Sequence, residues 1–379
     1  MKVASYLYQS ETLISNPKNS SFNETEAQLV IGFGDKELLN EDFFSKIKSK
    51  FPNAKIILCS TAGEIYNNQV YDHTVSISVF YFERATLQTS KVSIENYQSS
   101  FDAGKHLIKN LSQKDLKLLF ILSDGSKVNA SELVKGINQF KDEDILVTGG
   151  LAGDGTNFKD TVVGLNEIPV SGNIVAIGFY GDCLQCTHGS ISGWETFGLE
   201  RIVTKSAKNV LYEIDSKNAL DLYKTYLGKY SDELPSSALL FPLAIINSEN
   251  EQPIVRTILS IDEENKSMTF AGDIPEGCKV RFMKANFDRL IDAASDAANN
   301  CIEIYNNKPQ FAFLISCVGR KIILGNRIDE EIEAVTDIFG ENTTTTGFYS
   351  YGEISPLKTL KNCELHNQTM TITGIHEMI

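Results

Sequence analysis

Uninterrupted apolar runs recur along the chain and predict buried β-strands. The clearest runs are Leu29–Ile31, Leu118–Leu122 and Phe311–Ile315. Strands without polar alternation are typical of sheets that are covered on both faces, because every side chain then meets an apolar neighbour. The pattern therefore predicts layered sheets with helices packed against them.

Other segments place apolar residues three or four positions apart, which predicts amphipathic helices. Two such stripes are Leu133, Ile137 and Phe140 in one segment, and Ile328, Ile332, Val335 and Phe339 in another. Asn129 and Glu132 have the spacing of a capping box at the start of the first helix. Gly340 suits the residue that follows the second helix.

Three segments of the chain share one order of predicted elements: a strand, a helix, a strand, a glycine–acid turn and a further strand. They begin with "QLVIGFGDKELL", "LKLLFILSDGSK" and "QFAFLISCVGRK". Their turns are Gly63-Glu64, Gly153-Asp154 and Gly352-Glu353. Strand–helix–strand order occurs throughout α/β proteins, but the recurrence of the turn favours internal duplication.

The expected fold is α/β, with mixed β-sheets, helices on the outer faces, and two related halves that contain the repeated β-α-β-β units. A polar segment with several glycines, "CLQCTHGSISGWETFGLER", covers residues 183–201 and offers a connection between the halves. We therefore place the division near residue 200, which gives domains 1–200 and 201–379.

Composition limits the classes of partner. The chain has 379 residues, 42% of them hydrophobic, and a net charge of −14 with no run of Lys or Arg. This balance disfavours nucleic acids and anionic membranes as partners. The amino terminus lacks the apolar core of a signal peptide, and no stretch approaches the roughly 18 apolar residues of a membrane span. We expect a cytoplasmic protein without membrane insertion, whose seven scattered cysteines are buried free thiols.

The acids of the three turns are candidate ligand-binding residues. Ligands of open α/β sheets bind beyond the strand ends, where Glu64, Asp154 and Glu353 are expected. A glycine before each acid permits backbone conformations or close approaches that other residues do not. Each carboxylate either receives a ligand amine or bonds the backbone of its own turn, and the sequence leaves both interpretations open.

Two tyrosines and one arginine extend this candidate pocket. Tyr349 and Tyr351 alternate along an extended segment, so both face one side and offer apolar walls with hydroxyl groups. Arg256 lies within an apolar strand, where a buried guanidinium needs a partner. That partner is either a ligand carboxylate or an internal acid such as Glu353.

Arg320 and Trp194 have other expected roles. Arg320 follows a predicted strand, and we expect a solvated side chain there. Trp194 is the only tryptophan and lies in a connector flanked by glycine. It is either an anchor that joins two domains or a lid over a pocket.

Metal binding and catalysis are weakly indicated. "CLQCTH" contains Cys183, Cys186 and His188, but c-type haem attachment requires the histidine directly after the second cysteine, and zinc requires a fourth ligand. Cys59 at a strand end and His73 on the next segment form a nucleophilic pair only if they meet in space. The chain has no nucleophile elbow, zincin motif or P-loop. We therefore expect neither a metal, a cofactor nor enzyme activity.

Several phrases together resemble the FIST family of sensory domains in signal transduction. They are "STAGEI", "GGLAGDG" and "GWETFG" in the first half, and "VRTILSID", "CVGRKIILGNR", "GFYSYGEISP" and "CELHNQTMTIT" in the second. The likeness covers nearly the whole chain, in the order of an N-terminal FIST domain followed by a C-terminal FIST domain.

The resemblance implies a bacterial type of sensory input module that binds a small molecule such as an amino acid. It also implies a separate output partner, such as a histidine kinase, a cyclic-di-GMP enzyme or a chemoreceptor, because the last predicted strand ends with the chain. Some relatives are associated with haem and nitric-oxide sensing. His366 would then be the axial haem ligand, although its apolar neighbours on a predicted strand favour a structural role.

The sequence thus predicts a sensor that binds an amino acid without chemistry, with Arg256 on the ligand carboxylate and an acid of a glycine turn on the amine. The predicted ligand-binding residues are Arg256, Glu353, Tyr349, Tyr351, Glu64, Asp154 and Trp194. Two alternatives are a haem-binding nitric-oxide sensor and a hydrolase or transferase that uses Cys59.

Overall fold

The structure is a computed structural model that describes residues 1–246, 253–356 and 362–378. The first strands, β1–β7, are Lys2–Gln9, Thr12–Ser15, Leu29–Gly34, Lys55–Ser60, Glu64–Tyr66, Gln69–Tyr71 and Val75–Tyr81. Strands β8–β13 are Thr86–Ser93, Leu116–Ser123, Leu146–Leu151, Val163–Leu165, Asn173–Tyr180 and Leu184–Ile191. Strands β14–β21 are Glu195–Ala207, Val210–Ile214, Lys217–Asn218, Leu243–Ile246, Ile254–Arg256, Ile258–Asp262, Ser267–Phe270 and Lys279–Lys284. Strands β22–β26 are Phe311–Cys317, Thr344–Ser350, Glu353–Pro356, Cys363–His366 and Met370–Glu377.

The helices α1–α7 are Glu41–Lys50, Ser100–Lys109, Ala130–Phe140, Ala219–Leu227, Phe287–Glu303, Val318–Leu324 and Ile328–Phe339. Asn129 caps α3 by accepting a hydrogen bond from the Glu132 amide at 3.0 Å. Gly340 follows α7 with a φ of 75°, in the left-handed region expected after a helix. Within the described ranges, no helix combines the length and the apolar character needed to cross a bilayer.

Three six-stranded sheets repeat one plan. Their strand orders are β11-β4-β3-β7-β1-β2, β25-β24-β10-β9-β12-β8 and β13-β26-β22-β23-β5-β6. Each contains one parallel pair, namely β3 with β4, β9 with β10, and β22 with β23, while their other neighbours pair antiparallel. The predicted α/β class with mixed sheets and outer helices is confirmed.

The strand that follows each glycine–acid turn pairs with the sheet of another unit. Strand β5 joins β23, with Glu64 opposite Phe348. Strand β24 joins β10, with Glu353 opposite Gly150. Strand β11, which follows the turn Gly153-Asp154, joins β4. The first unit thus gives a strand to the third sheet, the second unit to the first sheet, and the third unit to the second sheet. The three units therefore cannot separate without breaking strand pairs.

The inner faces of the three sheets enclose one shared core. Alternate residues of the strands point into it, and Phe33, Phe120 and Phe313 of the three sheets lie in a single buried aromatic cluster. The intervening residues face the outer helices: α1 covers the first sheet, α2 and α3 the second, and α5 and α7 the third. Both faces are therefore buried, as the uninterrupted apolar runs predict.

A fourth sheet, residues 195–285, is inserted between β13 and α5. Its strand order is β18-β17-β21-β14-β15-β20-β19, and β16 pairs with β15. Helix α4 packs on its core through Leu220 and Tyr223. The predicted division near residue 200 falls inside β14, whereas the chain enters the fourth sheet at Glu195. The domain division stays a prediction.

Candidate functional site

The three glycine–acid turns come together at one end of the three sheets. We call residues 60–64, 151–155 and 349–353 the turn ring. Each turn bonds to the next through the backbone: Tyr349 N donates to Gly63 O at 2.8 Å, Gly153 N to Ser60 O at 3.0 Å, and Leu151 N to Gly352 O at 2.8 Å. Segments almost 300 positions apart in the chain therefore form a closed ring of hydrogen bonds.

Close approach explains the glycines of two of these turns. A Cβ at Gly153 would lie 2.8 Å from the backbone nitrogen of Ala62. Gly63 has a φ of 139°, and a Cβ there would overlap the side chain of Lys321, whose ammonium donates to the Ala62 carbonyl at 3.0 Å. The same ammonium forms an ion pair with Asp72.

Glu64 and Glu353 are buried inside the turn ring and bonded within the protein. Glu64 accepts hydrogen bonds from the Thr61 hydroxyl at 2.5 Å and from the amide and hydroxyl of Thr74. Glu353 accepts one from the Ser350 hydroxyl at 2.6 Å and two from Thr369. Burial raises the pKa of both carboxyl groups to about 7, against the opposing effect of these bonds. Both carboxylates therefore bond groups of the protein, and their role as ligand-binding residues stays a prediction.

Asp154 differs from these two acids because it lies near the surface and meets Tyr351. The Tyr351 hydroxyl donates to the Asp154 carboxylate and accepts from the amides of Asp154 and Phe158, at 3.1 and 3.0 Å. The Phe158 ring stacks on Tyr351 with centroids 4.5 Å apart and is 47% exposed. The pair Asp154–Tyr351, predicted to share a pocket, therefore fastens the loop 154–160 over the turn ring.

Arg256 bonds backbone carbonyls and none of the turn-ring acids. Its guanidinium is buried and donates to the carbonyls of Asp273 at 3.1 Å and Leu365 at 2.9 Å. Burial lowers its pKa to about 10, opposed by the nearby carboxylates Glu364 and Asp273. The side chain joins the fourth sheet to β25, and no bond between Arg256 and Glu353 is formed.

The expectation of a solvated Arg320 is wrong, because this side chain is fully buried. It pairs with Glu331 of α7 at 2.5 Å. Glu331 also accepts from the hydroxyl of Tyr349 at 2.8 Å. Burial and this negative neighbour raise the pKa of Tyr349 well above its ordinary value. Tyr349 therefore faces an internal ion pair, whereas Tyr351 faces the loop.

Trp194 and His366 also lie inside the protein. Trp194 donates from Nε1 to the Gln368 carbonyl at 3.1 Å and packs with Val255 and Leu290 between the fourth sheet and the rest of the chain. His366 is buried with Nε2 bonded to the Ser355 carbonyl at 3.0 Å, and burial lowers its pKa to about 4. An enclosed ring with Nε2 already bonded fits an axial haem ligand poorly.

The structure supplies no metal cluster and no nucleophilic pair at the positions that the sequence suggested. Across the described ranges, no three side chains of His, Cys, Asp or Glu are grouped closely enough to hold a metal ion. Cys59 is fully buried, while His73 is exposed and bonded to Asp35 at 2.6 Å. Cys59 and His73 therefore do not meet.

A polar cleft of about 850 Å³ lies away from the turn ring, where the end of the first hairpin and the β5–β6 turn face the α7–β23 connection. Its lining includes the carboxamides of Asn16, Asn67, Asn68, Gln310 and Asn342, the hydroxyls of Thr336 and Thr343–Thr345, and the charged groups of Lys18, Asp337 and Glu341. Asn67 joins the two sides of the cleft. Its side-chain oxygen accepts from the Asn16 carboxamide at 2.7 Å, and its backbone carbonyl accepts from the Thr345 hydroxyl at 2.9 Å.

This cleft contains none of the ligand-binding residues that the sequence predicted. Its residues lie in turns and at element ends, where single-sequence patterns carry little information about spatial neighbours. The run "ENTTTT" at residues 341–346 was the available signal, since hydroxyl and carboxamide groups accumulate there without apolar alternation. That signal alone would not have identified Asn16 or Asn67 as partners.

Comparison with known proteins supports the resemblance seen in the sequence. The family described as the FIST N domain matches residues 28–217, and the FIST C domain matches residues 219–356. An uncharacterized protein of Methanocaldococcus jannaschii is 23% identical over 321 residues, covering 78% of this chain. The chain matches 60% of the length of that relative.

Solved structures that align with this chain over nearly its whole length share little sequence identity with it. A chorismatase aligns with 99% of this chain and 98% of its own, at 9% identity and a TM-score of 0.38. A cyanuric acid hydrolase aligns with 99% of both chains, at 7% identity and a TM-score of 0.39. Likenesses at these scores carry no functional argument.

Proposed function

We propose that this chain, which belongs to the FIST family, is a cytoplasmic signal-input protein and not an enzyme. FIST domains are sensory domains. In this proposal the protein binds a small polar ligand, such as an amino acid, in the cleft lined by Asn67 and the α7–β23 connection. It then signals to a separate output protein.

The observation that carries the proposal is the cleft itself. A volume of about 850 Å³ suits a small molecule, since ligand pockets commonly measure about 300–1,000 Å³. Lys18, which forms an exposed ion pair with Glu341 at 3.6 Å, offers a cation for a ligand carboxylate, and Asp337 offers an anion for an ammonium group. Carboxamides and hydroxyls around them supply further hydrogen bonds. A zwitterionic amino acid satisfies all three kinds of group.

The position of the cleft gives the ligand a way to act. Its two sides come from the N-terminal part of the chain and from the region after the fourth sheet, so a bound ligand contacts both at once. A ligand changes signalling only if it favours one arrangement over another. The net charge of −14 disfavours nucleic acid as the output partner, and we expect a histidine kinase, a cyclic-di-GMP enzyme or a chemoreceptor.

Thermal unfolding against a panel of amino acids and related metabolites tests the proposal. A ligand at about 100 times its Kd should raise the free energy of unfolding by roughly 2.7 kcal/mol. Lys18→Gln and Asp337→Asn should abolish this stabilisation. Lys117→Gln and Asp182→Asn, which break an exposed ion pair outside the cleft, should preserve it. Stabilisation that survives both cleft substitutions, or a panel without any stabilising compound, would count against the proposal.

A further inference from the structure

Helix α7 connects the cleft to a buried ion pair. Thr336 and Asp337 near its C-terminal end line the cleft, and Glu331 in its first turn pairs with Arg320. The 12 residues of α7 span about 18 Å, so one continuous helix links the lining of the cleft to Glu331.

Arg320 in turn holds both connections between the three-sheet body and the fourth sheet. Its guanidinium donates to the carbonyl of Ser192, just before the fourth sheet, at 2.5 Å, and to that of Leu290, just after it, at 2.7 Å. A third donation reaches the Gln368 carbonyl at 3.4 Å, the acceptor that also receives Trp194. One side chain thus joins the entry and the exit of the inserted sheet.

We propose that α7, Glu331 and Arg320 form a relay that couples occupancy of the cleft to the position of the fourth sheet. The inference rests on the proposed function, because it takes the cleft as the input site. The planar guanidinium fork allows few orientations, and separating a buried ion pair leaves an uncompensated charge. When α7 shifts, Arg320 follows Glu331 and moves both connections together. The fourth sheet, residues 195–285, then presents the output.

Hydrogen exchange of the full chain tests the relay without any ligand. Arg320→Lys keeps the charge and loses the fork, and Glu331→Gln removes the anion. Both should accelerate amide exchange by about tenfold at residues 192–195 and 286–290 and also at residues 336–345. Exchange in residues 29–50 of the first unit should stay unchanged. Arg201→Lys, which alters an ion pair with Asp215 outside the measured segments and outside α7, serves as the matched control.

Tyr349→Phe is the milder variant if Arg320→Lys and Glu331→Gln fail to fold, since it removes only the hydroxyl that bonds Glu331. It should accelerate exchange in the same two places by about threefold. Acceleration at the connections with unchanged exchange at residues 336–345 would overturn the relay. So would a uniform acceleration along the whole chain.

The emission of Trp194 adds a ligand-dependent test, because this residue lies at the connection and outside the cleft. Each amino acid of the thermal panel is the probe. A compound that stabilises the protein should change Trp194 emission in the wild type, and the change should disappear in Tyr349→Phe. A panel without stabilising compounds overturns the proposed function and leaves the exchange test of the relay intact. Stabilisation without any change in emission or in exchange at the connections overturns the relay alone.

Discussion

Glu353 accepts two hydrogen bonds from Thr369, one from its amide at 3.2 Å and one from its hydroxyl at 2.9 Å. Thr369 immediately precedes β26, which returns to the third sheet, whereas Glu353 begins the strand given to the second sheet. Glu64 and Thr74 repeat this relation at 3.1 and 2.8 Å in the first unit. Each carboxylate therefore joins the first residue of a strand in one sheet to the residue just before a strand of another sheet.

These carboxylates make stability depend on pH. Because burial raises their pKa from 4.5 to about 7, the folded protein binds more protons than the unfolded chain within this window. Their contribution to stability therefore falls as the pH rises through it. Burial lowers the pKa of His188 and His366 from 6.5 to about 4, and their contribution rises with pH over that range. The carboxyl groups and the histidines have opposite effects in the wild type. Comparing the stability of a single-residue variant with that of the wild type therefore isolates the effect of one group.

Glu353→Gln should gain stability relative to the wild type as the pH increases from about 4.5 to about 7. The expected gain is about 3 kcal/mol, because a shift of one pKa unit corresponds to about 1.4 kcal/mol. Urea unfolding at a series of pH values measures it. A flat difference between Glu353→Gln and the wild type would mean that burial does not raise the pKa of this carboxyl group.

Gly153→Ala and Gly155→Ala should destabilise the protein by different amounts, although they lie two residues apart. The new Cβ at position 153 would meet the backbone nitrogen of Ala62 at 2.8 Å, and overpacking of this kind costs about 1–3 kcal/mol. At position 155 no atom lies within 4 Å, so only the left-handed φ of 69° is unfavourable, at about 1 kcal/mol. Denaturant unfolding compares the two. Equal losses would mean that the turn ring tolerates movement at Gly153.

The parts of this fold that were predictable depend on local pattern. Apolar runs identified β3, β9 and β22, and helical spacing with end residues identified α3 and α7, because burial and capping act within a few positions. The exchange of β5, β11 and β24 between sheets was not predictable, since strand partners distant in sequence leave no periodic signal. The recurring glycine–acid pair was the only trace of it.

The side chains at the candidate sites show the same limit. Arg320 looked exposed because it follows a strand, but its partner Glu331 lies 11 positions later on a different helix. Glu64 and Asp154 looked equivalent by sequence, yet Thr61 and Thr74 enclose the first acid while Tyr351 meets the second near the surface. Hydroxyl groups three residues before Glu64 and Glu353 were the signal that distinguishes these two acids from Asp154.

Tyr351→Phe should loosen the loop 154–160 while the sheets stay intact. The substitution removes the hydroxyl that accepts from the amides of Asp154 and Phe158, and each such bond contributes about 1 kcal/mol. Hydrogen exchange in residues 154–160 should accelerate, and unfolding by urea should show a loss of about 1–2 kcal/mol. Tyr71→Phe removes an exposed hydroxyl bonded to Gln69 and should change neither measurement. Unchanged exchange in the loop would indicate that Phe158 and the Lys36–Asp160 ion pair hold it without Tyr351.

Cys59 should resist alkylation in the native protein, which separates a sensor from an enzyme that uses this thiol. Its side chain has no exposed surface, and burial together with the negative charge of Asp124 raises its pKa far above the ordinary value. The thiolate is the reactive form, so a buried neutral thiol is inert. Iodoacetamide followed by peptide mass spectrometry should label Cys278 and Cys186 first, because these two are only partly buried. Labelling of Cys59 ahead of both would revive the hydrolase or transferase alternative, whereas complete labelling after denaturation confirms that all seven thiols are chemically available.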